Sequence, residues 1–400
     1  MRLASSVPSE KPASRVGVRL RIAFLTGIVA LIIGAYALSR PLHDFLEYWT
    51  VSHLLVMHIN PYSLPVVFQE QVKLGWSEPV PLMFLSPPWA LPLLLPVAFA
   101  SSYTLAWLAW AVMVTAALAL SSRILMDVYF RDLRIAEISD TAFHRCLFAF
   151  TFYPVLLCLK YTQTTPLILL GVAGFLFWHN RRPLLAGAWL SLTMIKPQLL
   201  YLVWLALLVR SWQERQGKIL ASAGIVLAVL SATALAFDHQ AFAHYRELMS
   251  GPYLGIFPSG AMGLFRRALR GRETFWMQFV FPILGIGWFA SYWRRYRHGW
   301  NWSERMPALV NASILSTAYG WIYDQTLLAV PIIALAAAHA REEGRISGNA
   351  VILYTALNCV LMLLMALPAW SFLPAPLLLL VLLFRQVRNL APSPEITVSA

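Results

Sequence analysis

The sequence predicts an all-α polytopic membrane protein, and three observations predict it. Hydrophobic residues fill 59% of the 400 positions and charged residues only 12%. The mean hydropathy is +0.64, too high for a soluble globular chain. Apolar runs of roughly membrane-spanning length recur from one end to the other. The formal charge of +13, from 31 Lys and Arg against 18 Asp and Glu, would suggest a nucleic-acid partner in a soluble protein. Here the basic residues sit in short loops between apolar runs, where the positive-inside rule accounts for them, so no nucleic acid is expected.

Taken in order, residues 1–19 read as a cytoplasmic basic arm carrying Arg2, Lys11, Arg15 and Arg19. No small-x-small cleavage site follows the first apolar run cleanly, so that run reads as a signal anchor. Spans are expected near 20–38, 103–121, 146–160, 164–180, 184–196, 197–210, 219–237, 275–293, 306–321, 325–340, 350–367 and 369–384. Several fall short of the roughly 20 residues of a straight crossing and read as half-helices or as runs with misplaced ends. Residues 20–385 thus form one transmembrane domain, followed by a cytoplasmic tail at 386–400.

The basic loops set the orientation. Arg181-Arg182, the stretch from Arg210 to Lys218, Arg294-Arg295, Arg341 to Arg345 and the tail from Arg385 are expected inside. Alternation then puts outside the loops 39–102 and 238–274 and the turns at Gln163, Lys196, Asp324 and Trp370. The apolar stretch 81–100 holds five prolines, which remove donors and break helices. It reads as a re-entrant or surface element of the first outer loop lining a cavity, with a full span as the alternative.

Polar groups gather at the outer ends of the expected spans. Asp44 and Glu47 stand three apart in a short polar island after the first run, on one face if that island is helical. Tyr48 and Trp49 follow them, and the plain reading of the island is an interfacial aromatic anchor with solvated acids. Lys196 precedes Pro197 and Gln198 between two apolar runs, so the proline frees backbone carbonyls beside a compact cation suited to phosphate. Snorkelling to the headgroups is the competing reading of that lysine. Gln163 offers a donor and an acceptor to a polyhydroxylated ligand, or an interhelical hydrogen bond. Tyr323 and Asp324 sit in an aromatic turn that could bind sugar hydroxyls, or belong to an aromatic belt. Arg266, Arg267, Arg270 and Arg272, in the second large outer loop, are candidates for a lipid phosphate or for unselective headgroup contacts. Clustering of such groups at one depth usually marks a polar cavity. The three cysteines lack metal-type spacing and read as small core residues.

The order of these pieces resembles glycosyltransferase family 87. The resemblance rests on Asp44-Phe45-Leu46-Glu47-Tyr48-Trp49, Asn60-Pro61-Tyr62, Pro87-Pro88-Trp89, Gln163-Thr164-Thr165-Pro166, Arg181-Arg182-Pro183, Lys196-Pro197-Gln198 and Tyr323-Asp324-Gln325, and spans about residues 20–340. It implies the GT-C architecture, here a bundle of about 12 transmembrane helices. It also implies a polyprenyl-phosphate-sugar donor, as in the phosphatidylinositol-mannoside mannosyltransferases, and inversion at the sugar. The family's catalytic aspartate falls on Asp44 and its lysine before proline on Lys196. The chain departs from the family's pattern at Thr162-Gln163, where Gly-Gln is common, and at Ser86-Pro87-Pro88, where Tyr-Pro-Pro is common. These departures bear on the substrate more than on the reaction class.

Transfer from a phosphate-linked sugar needs a base for the acceptor hydroxyl and cations or donors for the departing phosphate. Asp44 is the expected base. Lys196 and the loop arginines Arg266 and Arg267 are the expected phosphate ligands, and Glu47, Tyr48, Gln163, Gln198, Tyr323 and Asp324 the remaining substrate contacts. No cofactor is required, although Asp44 and Glu47 could share a divalent cation. The expected function is a hexosyl- or mannosyltransferase of a bacterial inner membrane with cytoplasmic termini. It would move a sugar to a lipid or glycan acceptor on the outer face, among membrane lipids. Two rivals remain: a transporter or lipid flippase using the same acids and lysine as a proton-coupled site, and a non-catalytic lipid-binding subunit.

Overall fold

The computed structural model describes residues 26–27, 30–37, 44–131, 147, 150–214, 217–251, 260–269, 272–344, 346–367 and 370–389. The arm 1–19, Cys146, Arg270, most of the tail and the side chain of Arg267 lie outside the described residues. Every regular element among the described residues is helical. An apolar chain has to satisfy its backbone internally, and helices do so segment by segment.

The stretch 39–102, expected as the first outer loop, contains Asp44–Val56 (α1), Leu64–Lys73 (α2) and Pro88–Ala98 (α3). Tyr103–Tyr129 (α4), Tyr153–Lys160 (α5), Thr165–Trp178 (α6), Pro183–Ile195 (α7), Tyr201–Glu214 (α8) and Lys218–Phe237 (α9) follow. Ala241–Ser250 (α10) and Gly260–Leu269 (α11) fall in the stretch 238–274, expected as the second outer loop. Phe275–Tyr296 (α12), Trp302–Ser316 (α13), Ile322–Glu343 (α14), Gly348–Leu363 (α15) and Pro374–Asn389 (α16) complete the chain.

Among the described residues four helices are long and apolar enough to cross a membrane: α4, α9, α12 and α14. Five apolar helices of 10–17 residues accompany them, including α3, α6 and α7. The half-helix expectation therefore meets short elements at 164–180 and 184–196. The proline-rich stretch 81–100 yields only α3, which begins as a 3-10 helix through Leu94 and is too short to span as a helix. The expected span 103–121 continues to Tyr129, because Ser121 returns its hydroxyl to the Ala117 carbonyl at 2.6 Å and the helix absorbs the serines.

Two stacks of helices meet along α6 and α14. In one, α4 packs on α6, α6 on α7, and α7 on α9. In the other, α8 and α12 pack on α13, and α13 on α14 and α16. The start of α14 touches both α5 and α6 and joins the stacks. Small residues bring the backbones together, as in membrane bundles generally. A Cβ on Gly187 of α7 would lie 2.2 Å from the Ile219 carbonyl oxygen of α9, and one on Gly174 of α6 would lie 2.5 Å from the Trp189 ring of α7. Helix α6 is buried nearly all round and forms the centre. Of the cysteines, Cys158 is buried as expected, whereas Cys359 is exposed on α15.

Helix α2 and the proline-rich segment are tied in place by specific bonds. Gln71 of α2 exchanges two hydrogen bonds with the Leu82 backbone, each 2.9 Å. Tyr62 donates to the Ser86 carbonyl at 3.1 Å and stacks on Phe84. These contacts hold the proline-rich segment over α1, which packs against α3 and α4.

Candidate active site

Helix α1 places both acids of the polar island in its first turn. Carboxylates are favoured there by the unsatisfied N–H groups and the helix dipole. The helix is buried by Phe45, Leu46, Tyr48, Val51, Leu54 and Leu55, on more than one face. It is an internal element of the fold. Tyr48 lies 5.5 Å from the Trp110 ring and edge-on to Phe84, so the first turn is fixed in rotation as well as position.

Three breaks between helices face this turn. Between α5 and α6, Thr162 takes a left-handed conformation with φ of 51°, and its carbonyl accepts from Trp110 Nε1 at 2.9 Å. Gln163 follows immediately. Around the junction of α7 and α8, the 3-10 end of α7 at Ser191–Ile195 and a second 3-10 piece at Pro197–Leu200 flank Lys196. The carbonyls freed there are taken up: Met194 accepts from Trp89 Nε1 at 2.8 Å and Gln198 from the Thr317 hydroxyl at 3.0 Å. Where α14 opens after α13, Asp324 caps the helix's own first 3-10 turn by accepting from the Trp321 N–H at 2.9 Å.

The three breaks and α1 share one hydrogen-bond network. Gln163 Oε1 accepts from Tyr48 Oη and from Lys196 Nζ, both at 3.0 Å, and Gln163 Nε2 donates to Asp44 Oδ2. The opposite amide orientation would set two donors against two donors, so the amide is locked with its NH2 towards the carboxylate. Lys196 Nζ also donates to Asp324 Oδ1 at 2.8 Å, and that oxygen accepts from Thr165 Oγ1 at 2.8 Å. The ammonium lies 5.2 Å from the centre of the Tyr323 ring, a cation-π distance. Burial pushes the Asp44 carboxyl up to about 6, against the opposing pull of Lys196 and the Gln163 hydrogen bond. Burial, with Asp44 next, also raises Glu47 well above the usual carboxylate range.

The structure thus brings Asp44, Tyr48, Gln163, Lys196, Tyr323 and Asp324 together. Glu47 sits beside them, and its carboxylate has no hydrogen-bond or ion-pair partner among the described residues. No third His, Cys, Asp or Glu groups with two others as a metal site among the described residues. Gln198 contributes its carbonyl to Thr317, while its side-chain amide makes no hydrogen bond among the described residues. Arg266 is buried elsewhere: it donates to Gln278 Oε1 at 2.9 Å and lies over the Phe275 ring. Gln278 in turn donates to the Ala318 carbonyl, which links this node to the turn ahead of Asp324. Thr165, Trp89, Trp110 and Tyr161, whose ring packs on Tyr323, were not singled out from the sequence as site residues. The one available signal was that Thr165 and Trp89 sit within the motif stretches themselves.

A family model adds to this geometry. The model for glycosyltransferase family 87 matches residues 84–318, more than half of the chain. The chain belongs to glycosyltransferase family 87. Comparison with curated proteins and with solved structures gives no match. As a family 87 member the chain is a membrane glycosyltransferase, which uses a sugar donor and an acceptor. Gln163 and Lys196 lie within the matched segment, and Asp44 and Asp324 lie on either side of it. The bonds from Gln163 and Lys196 to those two carboxylates therefore join the matched segment to its flanks.

Proposed function

We propose that this family 87 glycosyltransferase moves a single sugar, a mannose-like hexose or a pentose, from a polyprenyl phosphate to a hydroxyl of a lipid or glycan acceptor. Asp44 is the general base. Its carboxylate takes the hydroxyl proton as the acceptor oxygen bonds to the anomeric carbon. The bond from that carbon to the phosphate oxygen breaks, and polyprenyl phosphate leaves with the electron pair. A single base acting on the acceptor suits direct displacement with inversion.

The observation that carries this reading is the Gln163 amide, which holds the Asp44 carboxylate and the Lys196 ammonium in one network. A base with its pKa near 6 is largely ionised at neutral pH yet still basic enough to accept a proton. Lys196 spends two of its three N–H groups on Gln163 and Asp324 and has one left for the departing phosphate. Asp324 orients that ammonium, while Glu47 and Tyr323 contact sugar hydroxyls. Arg267 takes the lipid phosphate, since Arg266 is engaged by Gln278 and Phe275. In this scheme the site faces the outer side of an inner membrane, with both termini in the cytoplasm.

Transfer of radiolabelled sugar from a panel of polyprenyl-phosphate donors, in membranes with matched amounts of wild type and Asp44→Asn, tests the reading. A loss of ~100-fold or more is expected, the usual scale for a general base. Retained activity in Asp44→Asn would remove Asp44 from the role, and consumption of no donor would remove the donor class.

A further inference from the structure

At the far end of α14 from Asp324, a groove of about 390 Å³ opens between α14, α15 and α16. Fifteen residues of helix put it about 20 Å from the candidate active site. Helix α15 packs on α16 and α5, and the gap it leaves against α14 is the groove. The walls are aliphatic, with Leu357 buried and Leu353 41% exposed on the open side. The volume lies in the range of roughly 300–1,000 Å³ typical of small-ligand sites.

The mouth is polar and carries both signs of charge. Arg385 and Glu342 both line it and are exposed. Neither has a hydrogen-bond or ion-pair partner among the described residues, and they do not pair with each other. His339, beside them, is occupied by the Ser347 hydroxyl at 2.7 Å. A guanidinium is suited to a phosphate, and a carboxylate to a primary ammonium that can donate hydrogen bonds.

We propose that this groove binds one phospholipid whose headgroup carries both a phosphate and a primary ammonium, with an acyl chain along the aliphatic walls. The phosphate meets Arg385 and the ammonium meets Glu342. The site is separate from the sugar-transfer reading and does not depend on it.

The test uses the full chain, delipidated in detergent. It is then exposed to vesicles of equal parts phosphatidylethanolamine, phosphatidylcholine and phosphatidylglycerol, and the retained lipid is read by native mass spectrometry. One phosphatidylethanolamine per chain is expected, favoured ~10-fold over each of the others, the scale of one charged hydrogen bond. Glu342→Gln and Arg385→Gln, both at exposed positions, should each reduce that retention ~10-fold. Leu353→Trp should abolish retention by filling the groove, at a position exposed enough for the chain to fold. Equal retention of the three lipids, no retention by wild type, or unchanged retention in both charge variants overturns the proposal.

Discussion

Lys196 and Asp324 form an ion pair of 2.8 Å with side chains only 15% and 2% exposed. They come from different helix breaks, 128 residues apart. Two charges removed from water in this way are costly singly and tolerable together.

Removing one member of the pair therefore should be worse than removing both. Asp324→Leu is expected to lose about 3–5 kcal/mol, because it leaves the ammonium buried without its counter-charge. Lys196→Met combined with Asp324→Leu should recover part of that loss. Thermal unfolding of the single and double variants in detergent measures the coupling, and additive losses would show the pair is not coupled.

Transfer activity should depend on pH through Asp44. Its carboxyl titrates near 6 rather than in the usual range, because burial disfavours the charged form. A base acts when unprotonated, so kcat/KM should rise with pH to half its maximum near 6 and level off above it. A profile flat down to pH 5 would contradict the assignment.

Gln163→Leu should move that limb in a known direction. The amide N–H stabilises the ionised Asp44 carboxylate, so its loss raises the carboxyl pKa further. The acidic limb of the rate profile should shift to higher pH, while a purely structural role for Gln163 would lower the rate equally at all pH values.

Gly187→Ala should weaken the bundle without touching the polar network. Its methyl group would sit 2.2 Å from the Ile219 carbonyl oxygen, so α7 and α9 have to separate. A loss of about 1–3 kcal/mol is expected for such overpacking, read as a lower melting temperature in detergent.

The sequence was informative wherever a polar residue sat against a helix breaker. Lys196 before Pro197, Gln163 ahead of Pro166 and Asp324 in an aromatic turn all marked interruptions, and those interruptions meet. Which group bonds to which was not legible, because pairing depends on how separate helices are rotated. Gln163 read alone suggested an interhelical hydrogen bond, and it makes three polar contacts, two to α1 and one to Lys196. The arginines of the stretch 238–274 looked interchangeable in sequence. Arg266 instead is packed against Phe275 and bonded to Gln278, a glutamine whose own role no local pattern announced. The burial of α1 was also hidden, since its Thr50, Ser52 and two acids mask an element enclosed by the outer loop and α4.

The Trp89 to Met194 hydrogen bond and the Gln163 to Asp44 bond each close over more than a hundred residues. Asp324 joins from still further along the chain. During synthesis, Asp44 and Glu47 leave the ribosome long before any of their eventual partners. Asp44 can bond Gln163 once that break has been made, whereas Lys196 gains its counter-charge only when Asp324 follows. A chain halted before α14 lacks Asp324 and so leaves the Lys196 ammonium without its counter-charge.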